Sequence, residues 1–146
     1  MSEDFVSFNI MRILQRNGWV IVQYHPPGGQ ASFGLNVSGE ILYPDLIGYK
    51  DSMIVVLENK PSFDSGDVRK LRKIMQDASA RNQIIKYVED FCKDRSIGAS
   101  GTLLLLWAHG FSARQPPNPL QDINLICVQD DGTIRVTQAI LNPLII

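Results

Sequence analysis

Apolar residues recur at helical spacing from the start of the chain. Phe5, Phe8, Met11, Ile13 and Leu14 follow the acidic, cap-forming Ser2-Glu3-Asp4, which predicts an amphipathic helix ending near Asn17-Gly18. Trp19 to Tyr24 is β-branched and aromatic and predicts a strand. His25 to Glu40 contains Pro-Pro-Gly-Gly and two further glycines and reads as a long loop with at most a short irregular strand. Loops of that length inside a compact domain are uncommon and often functional. Ile41 to Tyr49 and Met53 to Lys60 read as two strands joined by the polar turn Lys50-Asp51-Ser52.

Ser62 to Asp67 reads as a turn and helix start. Val68, Leu71, Met75 and Ala78 then space one helical face, and Ile84, Ile85, Val88, Phe91 and Cys92 continue it. A break near Ser79 would make this two helices instead of one. Ile97 to Gly101 is a linker. Leu103 to Trp107 is a continuous apolar run bounded by glycines, the pattern of a buried central strand. Phe111 to Leu120 is a proline-rich loop. Ile123 to Val128 and Thr133 to Val136 flank Asp130-Asp131-Gly132, a strong hairpin signal. The order α-β-β-β-α-β-β-β predicts an α/β protein with a mixed central sheet flanked by helices and a C-terminal β-hairpin extension.

The 146 residues fit a single domain, 1–146. Leu, Ile, Val and Phe make up about 32% of them, well above the ~20% below which chains stay disordered. The longest apolar run, Leu103 to Ala108, is far short of the ~20 residues a membrane-spanning helix needs. Glu3 and Asp4 stand where a secretory signal carries Lys or Arg. Cys92 and Cys127 form no metal spacing and no disulfide framework. A cytoplasmic location and no membrane partner are therefore expected. No P-loop, Gly-x-Ser-x-Gly or His-Glu-x-x-His is present, so no nucleotide cofactor is expected. The net charge of −1 hides an asymmetry. Residues 60 to 95 are net positive and the remainder net negative, with Arg69, Lys70, Arg72 and Lys73 as the densest basic patch. That patch is either a solvated helix face or a phosphate-binding strip.

The candidate chemistry lies in Tyr43-Pro44-Asp45 and Glu58-Asn59-Lys60. A hairpin turning at Asp51-Ser52 pairs Lys50 with Met53 and sets Asp45 opposite Glu58. Cross-strand partners share a face with Cβ atoms about 4.5–5.5 Å apart. Alternation puts Lys60 with Glu58 and turns Asn59 away. Two adjacent carboxylates repel unless a cation is present. Lys60 is one such cation and a hard divalent ion such as Mg²⁺ is another. The bland alternative is a hairpin with a surface Asp-Lys pair.

Pro-Asp, an apolar strand and Glu-x-Lys, placed in this element order over roughly residues 1 to 108, resemble the PD-(D/E)xK nucleases. That superfamily has a restriction-endonuclease-like αβββαβ core. The layout is also similar to small Holliday-junction resolvases, though no Lys or Arg occurs from Asn17 to Tyr49. Gln83 and Tyr87 resemble the Gln-x-x-x-Tyr motif of RecB-type nucleases. The resemblance implies a catalytic core at 1–108 and an extension at 109–146. It implies Asp45, Glu58 and the Asn59 carbonyl as ligands of Mg²⁺ or Mn²⁺, and Lys60 as the catalytic lysine. Glu3, with Asp4 as substitute, would be a further ligand from the first helix, unless it serves only the helix dipole. His25 and His109 are candidates for supporting or phosphate contacts beside a purely structural role.

The expectation is a Mg²⁺-dependent endodeoxyribonuclease, with DNA as partner. The alternative is a catalytically silent nucleic-acid-binding or assembly module of the same fold. A homodimer is also expected. One site cuts one strand, and the uncharged tail Ala139 to Ile146 needs burial, either in a partner or in the monomer's own core.

Overall fold

The computed structural model describes residues 2–25, 33–99 and 101–146. Helix α1 (Glu3–Arg16) starts as its sequence predicts, with the Ser2 hydroxyl accepting from the Phe5 N–H. Strand β1 (Val20–Tyr24) follows. The Pro-Pro-Gly-Gly part of the expected loop lies outside the described residues. Its far end is regular: β2 (Leu35–Val37) pairs antiparallel with β3 (Glu40–Leu42) as a separate two-stranded sheet. Ser38 and Gly39 both take positive φ at the turn between them.

The strand expected over 41–49 is therefore two strands. β3 ends at Leu42, and β4 (Leu46–Lys50) begins after the break Tyr43-Pro44-Asp45. Proline has no N–H to give a ladder, which suits it to that break. Strand β5 (Met53–Asn59) returns antiparallel in the expected register, from Lys50↔Met53 to Leu46↔Leu57. Asp51 and Ser52 have φ of 48° and 64°, the tight mirror-image turn that matches strand twist.

Two helices follow. Helix α2 (Ser65–Met75) is capped by Asp64, and α3 (Ala78–Asp94) by Asp77, so the break falls at Gln76-Asp77, just before the expected position. Strand β6 (Leu104–Ser112) runs further than the apolar pattern suggested. Ala108-His109-Gly110 continue it because Gly110 lets α1 come close. A Cβ there would collide with Ile10 and with the Asn59 side chain. Strand β7 (Asn124–Val128) and β8 (Ile134–Thr137) form the expected hairpin, but as part of the main sheet and not as an appendage.

The main sheet is mixed, in the order β1-β4-β5-β6-β7-β8, with β5, β6 and β7 parallel to one another. Ile54, Val56, Trp107 and Leu125 face α2, α3 and the small β2–β3 sheet. Val55, Leu57, Leu106 and Ile126 face α1 and the C-terminal residues. The tail is partly core: Ala139 and Leu144 are buried, while Ile140, Leu141 and Ile145 are exposed. No helix among the described residues is long and apolar enough to cross a membrane.

Candidate metal centre

At the carboxyl end of β5 the hairpin opens. Asp45 has left the regular ladder. Its N–H still reaches the Leu57 carbonyl at 3.2 Å, but its carboxylate Oδ2 accepts the Asn59 N–H at 2.8 Å. The side chain thus takes the place of a ladder carbonyl, and the two strand ends splay apart around it. Alternation does the rest. Glu58 points to the α2 side of the sheet, and Asn59 points to α1, where its amide donates to Ser7 Oγ.

Helix α2 brings the third acid. Asp67 lies in its first turn, and its carboxylate meets those of Asp45 and Glu58. One oxygen from each of the three lies within 4.8 Å of the others. Glu58 is 1% exposed and Asp67 6%. The Asp67 Oδ2 oxygen is buried and has no hydrogen-bond partner among the described residues. Burial and the nearby Asp45 charge push the Glu58 carboxyl well above its usual range. Burial likewise pushes Asp67 up to about 6, against the pull of Lys60. An oxygen-only cluster with an orphaned buried carboxylate oxygen fits a hard divalent cation.

Two ammonium groups border the cluster. Lys60 Nζ is 4.0 Å from Asp67 Oδ1. Partial burial opposes its charge, but Asp67, Glu3, Asp45 and Glu58 outweigh that and raise its pKa. It is therefore a standing positive charge, suited to stabilising anions and unsuited to taking a proton. Lys70 Nζ lies 2.6 Å from Glu58 Oε1 and donates to the Tyr43 carbonyl at 3.0 Å. Glu3 comes from the α1 side and is within electrostatic reach of Asp45 and Lys60. Burial first, then Asp45, raises its pKa, but it is not one of the three converging acids.

His109 ties the cluster together from behind. It is completely buried beside Glu58 in the β5–β6 ladder. Its Nε2 accepts the Asp64 N–H at 3.0 Å, so Nδ1 carries the proton and donates to the Glu58 carbonyl at 2.9 Å. Burial lowers its pKa, in keeping with that neutral form. One imidazole thus fixes the strand that carries Glu58 to the turn that starts α2 and positions Asp67.

The other expected site residues divide. Of the basic patch, Lys70 belongs to the cluster. Arg72 makes a bidentate pair with Asp122, Lys73 pairs with Glu40, and Arg69 is exposed. Gln83 donates to and accepts from the Asn36 backbone at 3.0 Å each, and Tyr87 stacks on Phe33 at 4.0 Å. Both hold the small β2–β3 sheet against α3 and stand apart from the acids. Asp67 is the member of the acidic cluster that sequence reasoning missed. Its signal was faint: an acid in a first turn is usual at a helix start. Its spacing of three from Lys70 puts both on one helical face, but nothing local says which element that face meets.

No protein-family model matches the chain, and no curated protein matches it.

Proposed function

We propose that the protein is a divalent-cation-dependent nuclease acting on DNA, built on the restriction-endonuclease-like plan. One observation carries this reading. Three acids, from the break before β4, from β5 and from α2, converge within 4.8 Å at the open end of a hairpin, with the Lys60 ammonium 4.0 Å from one of them. The order around that site supports it: α1, the hairpin that splays at Asp45, the crossover through α2, then β6 parallel to β5.

Asp45, Glu58 and Asp67 would hold Mg²⁺ or Mn²⁺. A bound cation supplies Lewis acidity toward a phosphoryl oxygen and lowers the pKa of water. Lys60 donates to a non-bridging phosphoryl oxygen and offsets the charge that develops there. Ser7 and Asn59 lock α1 against β5, which keeps the acidic end of the strand in place.

The test is cleavage of plasmid, linear, single-stranded and branched DNA, and of RNA, with Mg²⁺, Mn²⁺ or EDTA. Cleavage that needs the cation and is lost in Asp45→Ala and Glu58→Ala supports the proposal. Cleavage that survives excess EDTA sinks it. A second reading has its own observation, the ammonium of Lys70 seated on Glu58. A protein that always kept it there would bind nucleic acid without cutting it. The same assay, paired with binding measurements in Ca²⁺, separates the two. The exposed Ile140, Leu141 and Ile145 also leave room for a two-copy assembly, which light scattering of the full chain reads directly.

A further inference from the structure

Glu3, Asp45, Glu58 and Asp67 bring four carboxylates, and Lys60 and Lys70 bring two ammonium groups. The two lysines, however, are not placed alike. Lys60 stands 4.0 Å from Asp67 and is 39% exposed. Lys70 is at contact distance from Glu58, the most buried of the acids, at 2.6 Å. A cation ligated by Glu58 and Lys70 Nζ would compete for the same carboxylate.

We infer that Lys70 is the resident counter-ion of this centre, which a divalent cation must displace from Glu58, so that Lys70 weakens cation binding and is released toward substrate as the cation enters. The inference rests on the cation-dependent reading above. Its mechanics follow from the residue's surroundings. Lys70 sits one turn after Asp67 on the same face of α2, so the helix delivers an acid and its competitor together. Its other tie is to the Tyr43 carbonyl, in the break between β3 and β4. Its side chain is 26% exposed and opens onto a cleft shared with Glu40, Leu42, Gly66, Arg69 and Lys73. A long flexible stem lets the ammonium leave Glu58 for that cleft without moving the helix. There it joins Arg69 beside the Lys73–Glu40 ion pair, within reach of a phosphate backbone that passes the cluster.

A lysine that merely holds α2 to β5 predicts the opposite result from a competing one. Removing a structural tie loosens the ligands and weakens cation binding. Removing a competitor strengthens it. The experiment measures Mn²⁺ affinity by electron paramagnetic resonance, without nucleic acid, for the full-length protein and for Lys70→Gln and Lys70→Arg. The expected result is about tenfold tighter binding in Lys70→Gln, the Coulomb scale for one charge facing a dication under water-like screening. Lys70→Arg should stay near the parent value. Unchanged or weaker binding in Lys70→Gln overturns the inference. If the parent and both variants fail to bind Mn²⁺ at millimolar concentration, the cation-dependent reading falls with it.

A second readout needs no folding assumption about a variant. In protein labelled with ¹⁵N-lysine, the Lys70 ammonium should give a signal while it is held on Glu58. Saturating Mg²⁺ should abolish that signal while the Lys60 signal shifts. A Lys70 signal unchanged at saturating Mg²⁺ refutes displacement.

Discussion

Two buried polar centres sit on the same sheet, and they are built on opposite terms. Asn124, at the start of β7, is completely buried and uses its whole amide. Its Nδ2 donates to the carbonyls of Trp107 and Asn142, and its Oδ1 accepts from the N–H groups of Ala139 and Leu144. It is the pin around which the C-terminal residues fold. The acids at the end of β5 are less completely matched: Glu58 and Asp67 are buried and Asp45 half-buried, three carboxylates converge, and Asp67 Oδ2 has no hydrogen-bond partner among the described residues, with His109 Nδ1 3.7 Å away. A satisfied buried polar group specifies structure. An unsatisfied one keeps its binding capacity for something else, at a cost in stability that the surrounding fold must cover.

The widest test of that contrast is substitution at the acids. Asp45→Ala and Glu58→Ala should lower cleavage on the order of a thousandfold with an unchanged circular-dichroism spectrum. Full activity in either purified variant would place the chemistry elsewhere. Asn124→Ala should do the reverse. Leaving four buried partners unmatched should cost about 3–5 kcal/mol. That lowers Tm by roughly 10 °C in a chain of this size, while cleavage per folded molecule at low temperature persists. A melting curve indistinguishable from the parent would show that Asn124 does not pin the tail.

Asp67→Asn removes a penalised charge, so the cation-free protein should melt a few degrees higher, roughly the effect of 1 kcal/mol. Its Mn²⁺ affinity should fall at least about tenfold. A lower Tm together with parent-like affinity would mean that Asp67 is a structural acid. The pH dependence follows from the same shift. Asp67 keeps its proton up to about pH 6 in the folded state, against an ordinary 3.8. Between those values the folded chain binds more protons than the unfolded one, so cation-free stability should fall as pH rises through that window. Glu58 acts in the same direction. The Tm increment given by Mg²⁺ should therefore grow from pH 5 to pH 7, and an increment flat in pH would remove these acids from the ligand set. Least of all, Gln83→Ala should cost about 1 kcal/mol through its two lost bonds to Asn36 and leave cleavage intact. A large activity loss there would restore the helix motif to a catalytic part.

Local chemistry was enough for much of the fold. Ser2 capping α1, the Asp51-Ser52 turn with its register, and the Asp130-Asp131-Gly132 hairpin all follow from neighbours within a few residues. The register in turn placed Glu58 and Lys60 on one face and Asn59 on the other, because side chains alternate along any strand. The limits of β3 and β4 were harder. Residues 41 to 49 carry a break signal in Pro44-Asp45, but the apolar residues on either side of it do not reveal that the two ends pair with different partners.

Legible in the residues themselves were the strand parity, the Ser2 cap, the two hairpin turns, and Asp45 and Glu58 as neighbours with Lys60 beside them, although Asp45 leaves the ladder instead of pairing directly with Glu58. Those depend on backbone geometry that each segment carries with it. Packing between distant segments settled which further groups reach the acids. Asp67 and Lys70 arrive because α2 packs its apolar face, Val68, Leu71 and Ile74, on the same side of the sheet as Glu58. His109 arrives because β6 lies parallel to β5 in one register among several that the apolar run Leu103 to Ala108 would permit. Helical and strand periods fix which side chains share a face. What that face meets is set by packing between segments far apart in the chain, and no local pattern encodes it.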